Sequence, residues 1–401
     1  MPGLQPERTG VRIAEQRKLA GLTQRGLAQR IPYSYSLLRQ VEEGHKNASP
    51  DLLAAVARAL HIDVTALTGQ PYLTELRQDR LAELIRPIRE ALDLYDLDPD
   101  PATAHRPKEE LLREADELCR MVRATQLNSA ARALPLLLTQ LTAAAHRAPA
   151  TCVWQALGSC YRTAHDVAAK LGFYDLSTIA LDRMGWAAER AGDPMLAAVR
   201  QYMRALVYFR EGEQDVGLRL VQKGHALVER PAHGGRSDDA ATEALAVCGQ
   251  LHLGAAIIAA RARDTDGVRT HLDEASAHAR RTGEVGRVHW LSFGPANVAA
   301  HELSAHVELN RFGRALQVAQ RLHLPHGWAM SRRAHVHLDR ARCEMETGRT
   351  EAALESLMTA RRLAPQQTRY HPGARETLKG LLHQRRRTPG TLGYMAAWVG
   401  L

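Results

Sequence analysis

Tyr35, Ser36, Arg39 and Gln40 bring a phenol, a hydroxyl, a guanidinium and an amide into one six-residue stretch. These groups make directed hydrogen bonds to base edges and phosphates. On a helix of 3.6 residues per turn they share one face, while Leu38 and Val41, three apart, form an apolar stripe on the other. One side held by a domain and one polar side offered outward is the geometry needed to enter a DNA major groove. Ser34 can cap the start of that helix. Thr23 can cap a preceding one running from Gln24 to about Gln29, with Leu27, Ala28 and Ile31 turned inward. Downstream, SPDLLAAVARALHI (49–62) supplies a Ser cap, a Pro at the first helical position and an apolar face at Leu52, Leu53, Val56 and Leu60. It closes a small helical domain.

Over roughly Thr9 to Leu67 the sequence resembles the Cro/repressor-type helix-turn-helix family, also called XRE, through Arg17, Thr23-Gln24, Leu27-Ala28, Ser34, Glu42 and Gly44. The resemblance implies a five-helix domain that binds double-stranded DNA, with a partly buried ion pair between Arg17 and Glu42. It also implies that Gln24 bonds phosphate and braces the reading side chains, that Ser34 holds a phosphate, and that Tyr35, Ser36 and Gln40 face base edges. Arg39, His45 and Lys46 complete the expected DNA-binding set. The chain departs from the family at Pro32, where many members carry Gly in the turn. Proline is fixed near φ of about −65° and cannot supply a left-handed residue, so an altered approach to the second helix is expected.

A chain of 401 residues exceeds what one compact core usually holds, so two or more units are expected. Ala, Leu and Arg dominate, aromatics are only 5%, and alternating Val, Ile and Thr runs are missing, which reads as all-α. The balance of 53 Lys+Arg against 44 Asp+Glu gives +9, which favours an anionic partner. In residues 1–70 nine basic side chains face six acidic ones, so the excess is spread along the chain. Cys119, Cys152, Cys160, Cys248 and Cys343 are odd in number and contain no C-x-x-C. They read as small buried residues in a reducing compartment. Without a basic-then-apolar leader, and with apolar runs as short as Leu253 to Ala260, a cytoplasmic protein without membrane contact is expected.

Residues 1–8 read as a loose tail and 1–70 as the DNA-binding domain. Residues 71–107 read as a linker helix, bent or interrupted at Pro87, and a Pro-rich loop. From Lys108 helices follow one another with short turns. Trp154, Leu157, Gly158 and Tyr161 spell W-x-x-L-G-x-x-Y, the first-helix signature of the tetratricopeptide repeat. Leu253-Gly254 with Ile257, and Trp290 with Phe293-Gly294, echo it. Ala353, Leu357 and Ala360 before Pro365 look like a second helix. Four to six degenerate repeats over about 108–388 follow, interrupted by a flexible loop at 229–240 and a basic run at 383–387, with a terminal cap at 392–400. A right-handed α-solenoid of helical hairpins occupying 108–401 is the expected architecture.

KLGFYDLS, WAAERAGDP, FGPANV and LAPQQTRYHPGARETL resemble segments of a large actinobacterial family that joins an XRE helix-turn-helix to a tetratricopeptide-like region. That resemblance implies a transcription regulator. In domain order the chain is also similar to the Rgg/PlcR peptide-responsive regulators.

No Gly-rich phosphate loop, G-x-S-x-G elbow or H-E-x-x-H occurs, so neither catalysis nor a cofactor is expected. His301-Glu302 with His306, and His335 with His337, have the wrong spacing for a metal helix. The first helices of a repeat array line its concave side. Gln155, Ser159, Arg162, Tyr202 and Arg210 are expected there, with Leu251, Ala255 and Ile258 as an apolar floor. Asn297 stands where the repeat expects a packing aromatic. A buried amide left unpaired costs about 1–3 kcal/mol, so Asn297 should bond backbone or ligand. With Trp290 and His301 on nearly the same face, it heads the expected ligand-reading set of Arg162, Tyr202, Trp290, Asn297 and His301. The reading is a homodimeric, sequence-specific regulator that binds a palindromic operator and senses a peptide or small molecule. The alternative is a scaffold whose array grips a partner protein while DNA binding only localises it.

Overall fold

The computed structural model describes residues 9–62, 64, 67, 75–97, 100, 103, 105–230, 237–286, 288–384 and 390–401. The expected N-terminal tail, residues 231–236 of the expected loop at 229–240 and the arginines of the basic run fall outside this set, as does most of the expected fifth helix of the first domain; residues 238–240 of that loop are helical instead. All the regular elements described are helices.

The first domain comprises α1 (Thr9–Leu19), α2 (Gln24–Ala28), α3 (Tyr35–Glu42) and α4 (Pro50–Leu60). Thr23 Oγ1 accepts from Gly26 N at 3.0 Å, Ser34 Oγ from Leu37 N at 3.2 Å and Ser49 Oγ from Leu52 N at 3.2 Å. Each cap satisfies a helix-start N–H that would otherwise lack a partner. Ile13, Leu27, Leu38, Val41, Leu52 and Val56 form the domain's core. None of residues 29–33 takes a left-handed φ. The turn containing Pro32 therefore closes without the glycine conformation.

Next, α5 (Glu75–Asp93) runs through Pro87, so of the expected bend or interruption the interruption does not occur. Leu81, Ile85, Ile88 and Leu92 bury one stripe on both sides of the proline. Burying four such side chains, each worth about 1.5–3 kcal/mol, outweighs the ~3 kcal/mol cost of an interior proline.

Six helical hairpins follow: α6 (Lys108–Arg123) with α7 (Leu127–Arg147), α8 (Thr151–Leu171) with α9 (Tyr174–Ala191), α10 (Pro194–Glu211) with α11 (Gln214–Val228), α12 (Asp238–Arg261) with α13 (Thr265–Thr282), α14 (Pro295–Glu308) with α15 (Phe312–Arg321), and α16 (Met330–Glu346) with α17 (Thr350–Leu363). Each hairpin packs on the next, giving a helical solenoid. Helices α18 (Pro365–Tyr370), α19 (Pro372–Gln384) and α20 (Gly390–Val399) cap its end. The signature glycine explains the tight stacking. A Cβ on Gly158 would lie 2.6 Å from Leu196 Cδ2, and one on Gly224 would lie 2.5 Å from Leu251 Cδ2. Trp154, Leu157 and Tyr161 around Gly158 are buried.

The array curls back on itself. Helix α18 packs against α8 and α16 against α6, while Thr125 Oγ1 donates to Leu363 O at 3.0 Å. Leu251, Ala255 and Ile258 are fully buried in the main core, so they are not a groove floor. A neighbouring hairpin covers them, as Gly217 against Ile258 and Gly224 against Leu251 show. Helix α12 is long and apolar enough to cross a membrane, but 78% of its apolar stretch is buried within the fold, as for a core helix.

The first domain rests on the solenoid through α1 and α4. Asp51 at the start of α4 pairs with Arg261 Nε and Arg263 Nη2, each at 3.2 Å. Arg58 donates to Gly212 O, and a Cβ on Gly212 would sit 2.6 Å from that of Ala54. At the other end Thr9 Oγ1 meets Glu376 Oε1 at 3.1 Å and accepts from Lys379 Nζ at 2.6 Å.

Candidate nucleic-acid interface and buried polar network

The outward face of α3 is built from its buried side. Leu38 and Val41 are almost wholly buried, which turns Tyr35, Ser36 and Arg39 outward and leaves Gln40 half-exposed. Gln40 Nε2 donates to Ser36 Oγ at 3.3 Å, one helical turn apart, so the two polar groups are held side by side. The Arg25 guanidinium stacks over the Tyr35 ring at 5.5 Å. Sequence reasoning passed over Arg25, although it follows the Thr23-Gln24 pair on the exposed side of α2. Ser34, His45 and Lys46 are exposed at the two ends of α3. Arg39 and His45 flank Glu43 at 3.7 and 3.6 Å. These are weak surface pairs that phosphate can displace.

Below this face Arg17 and Glu42 form a two-armed ion pair, Nε–Oε1 and Nη2–Oε2 both 2.8 Å, with side chains 9% and 3% exposed. Arg17 Nη1 also donates to Leu22 O at 2.7 Å, and Gln24 Nε2 donates to Glu42 Oε2 at 2.8 Å. Hydrogen bonding to Glu42 raises the Arg17 pKa against the opposing effect of burial. Gln24 thus braces the ion pair that fixes α1 to the end of α3, with no recorded bond to the reading side chains.

The second site lies inside the solenoid. Asn297 Nδ2 donates to Gln250 Oε1 at 3.0 Å, and Asn297 Oδ1 accepts from Arg332 Nη2 at 2.7 Å. The expected choice between backbone and ligand is therefore corrected, because two other side chains satisfy the amide. His301 Nδ1 lies 2.8 Å from Asn297 O and 3.3 Å from Arg332 Nη2. Burial, and then the adjacent Arg332 charge, push that imidazole well below its usual range. Gln250 also hydrogen-bonds Tyr202, whose buried phenol feels the charges of Arg332 and Arg162. Arg162 Nη2 donates to Trp290 O at 3.3 Å while its Nη1 is buried without a hydrogen-bond partner. Trp290 O also accepts from Arg123 Nη1 at 2.9 Å.

Asn297, His301 and Tyr202 are thus joined in one network, and Arg162 with Trp290 forms a second bonded pair acting on Tyr202. Gln155 is turned away to Asp193 at 2.8 Å, and Arg210 lies over Tyr174 at 4.1 Å. Gln250 and Arg332 were missed. The signal for Gln250 was a lone amide in the mainly apolar stretch Ala244–Ala260. No described hydrogen bond from Arg332 reaches a carboxylate, and burial lowers its pKa.

Residues 13–67 match the family model described as helix-turn-helix. No curated protein matches the chain. Among solved structures the chain is similar to Bacillus thuringiensis PlcR in complex with the peptide PapR7 and DNA. The identity is 12%, the match covers 89% of this chain and 94% of that one, and the TM-score is 0.21.

Proposed function

We propose that the protein is a sequence-specific DNA-binding transcription regulator, acting as a cytoplasmic homodimer whose tetratricopeptide-like array senses a peptide or small molecule. The observation that carries this reading is the orientation of the first domain. Its α1 and α4 sides are held by the solenoid, whereas Tyr35, Ser36, Arg39 and Gln40 on α3 remain open. In this reading Tyr35, Ser36 and Gln40 address base edges, and Ser34, Arg39, His45 and Lys46 address phosphates, with Arg25 beside them.

The interior network is the proposed effector site. Arg162 donates to the Trp290 carbonyl and Arg332 to the Asn297 amide oxygen, neither of them a carboxylate, which suits an anionic group such as a carboxylate. Asn297, Gln250 and Tyr202 would orient the rest of the ligand, with His301 as a neutral imidazole. A change there can reach DNA through α12, which carries Gln250 and ends at the Arg261 that holds Asp51. One helix-turn-helix contacts few base pairs, so two copies should bind half-sites about 10–10.5 base pairs apart or a multiple of that. Selection from a random duplex pool at fixed salt should enrich such a palindrome. Failure to enrich any motif would contradict the reading.

A further inference from the structure

Sequence spacing scatters the histidines, but the fold gathers four of them around one cysteine on α11, α12 and α13. Cys248 and His252 are one turn apart on α12, and His271 and His278 are two turns apart on α13, with Glu274 between them. His225 reaches in from α11. His225 Nδ1 lies 3.3 Å from Cys248 Sγ, and His252 Nδ1 lies 3.1 Å from His271 Nδ1. The donor atoms of His225, Cys248 and His252 fall within 4.8 Å of one another, as do those of His252, Glu274 and His278.

Zinc bonds nitrogen at about 2.0–2.1 Å and thiolate at about 2.3 Å, so neighbouring ligands of a tetrahedral ion sit roughly 3.3–3.6 Å apart. The 3.3 Å between His225 Nδ1 and Cys248 Sγ is close to such an edge. We propose that His225, Cys248 and His252 bind a divalent transition-metal ion of the zinc class, with His271, Glu274 and His278 beside it as outer partners. A thiolate with imidazoles selects a borderline-soft ion over calcium or magnesium. His278 Nδ1 is buried with no hydrogen-bond partner, an independent sign that the cluster lacks a component. The histidines and Cys248 are half-buried, which leaves an entry path. A bound ion would itself supply the positive charge that displaces the Cys248 thiol proton. The bound ion would staple the second helix of one hairpin to both helices of the next.

The test uses full-length protein stripped by chelation and titrated with Co(II) as a spectroscopic stand-in for Zn(II). The wild type should take up one equivalent with a thiolate-to-cobalt charge-transfer band and tetrahedral d–d bands, and Zn(II) should displace it and raise Tm. Cys248→Ser should lose the charge-transfer band and the Tm rise, whereas Cys152→Ser, altering the other half-buried cysteine, should match the wild type. His252→Ala should weaken binding beyond the ~10–100-fold typical of outer-shell changes, a range that His271→Ala should not exceed. The proposal is overturned if the wild type shows no charge-transfer band, if the band survives Cys248→Ser, or if His252→Ala binds as tightly as the wild type. The last outcome would leave His252 and His271 as a simple N–H···N pair.

Discussion

Two arginines, Arg17 buried and Arg332 half-buried, serve two regions in opposite ways. In the first domain Arg17 meets Glu42 through two bonds of 2.8 Å, with a backbone carbonyl taking a third N–H. In the solenoid Arg332 donates to the neutral Asn297 amide oxygen at 2.7 Å and feels the Asp339 carboxylate without a bond to it. A matched pair fixes geometry and has no capacity left for another anion. A cation bonded to a neutral oxygen carries a desolvation cost that an incoming carboxylate would relieve. Under the proposed function, that contrast is one between a structural pair in the first domain and an effector site in the solenoid.

The largest effect should come from Glu42→Ala, which strands Arg17 in the domain core. Breaking a buried pair from one side costs about 3–5 kcal/mol, enough to unfold a small helical domain. Hydrogen exchange should show α1 to α4 unprotected, with the solenoid unaffected. Persistent protection of α3 would show that the pair is dispensable and would break the comparison from the scaffold side.

Acid should act on the other region. His165 is 8% exposed, its Nδ1 is 3.0 Å from Ser177 O, and burial lowers its pKa to about 4. The unfolded chain takes up this proton near pH 6.5 and the folded chain only near 4. The stabilising contribution is therefore complete above about 6.5 and is lost as pH falls through that window, amounting to about 3 kcal/mol at the bottom. His335 at about 4 and His371 at about 3 push the same way. The first domain's His45 and His61 are exposed. All five tryptophans lie in the solenoid. Tryptophan fluorescence in urea at pH 7 and at pH 4.5 should show a marked fall in the solenoid's midpoint. An unchanged midpoint would contradict the burial of His165.

Arg332→Met should have the smallest effect on stability, below about 1 kcal/mol. Losing the bond to Asn297 is offset by removing a half-buried charge bonded to a neutral oxygen. Urea midpoints measure this, and a loss as large as that of Glu42→Ala would make Arg332 a structural residue and erase the contrast.

What the sequence revealed followed local chemistry. Thr23, Ser34 and Ser49 announce helix starts because a cap acts within three residues, and Gly158 announces close packing because only hydrogen fits beside Leu196. The resemblance supplied the partnership of Arg17 and Glu42. The pairing of Asn297 with Arg332, the seating of Asp51 between Arg261 and Arg263, and the gathering of His225, Cys248, His252 and His271 depend on how hairpins stack and curl. No local rule sets that. At Pro87 the interruption that was one of two expected outcomes does not occur, because the helix-breaking tendency of proline is overruled by a buried apolar stripe. Leu251, Ala255 and Ile258 were misread because the array closes and leaves no open floor.

The central claim is that the exposed face of α3 reads bases, and one competition experiment tests it most directly. On the enriched duplex and on single-base variants at fixed salt, affinities are measured for the wild type, Ser36→Ala, Gln40→Ala and Lys46→Ala. The account predicts that Ser36→Ala and Gln40→Ala flatten the preference at particular positions by about 1–3 kcal/mol, while Lys46→Ala weakens every duplex alike. Unchanged affinity and preference in both Ser36→Ala and Gln40→Ala would contradict it.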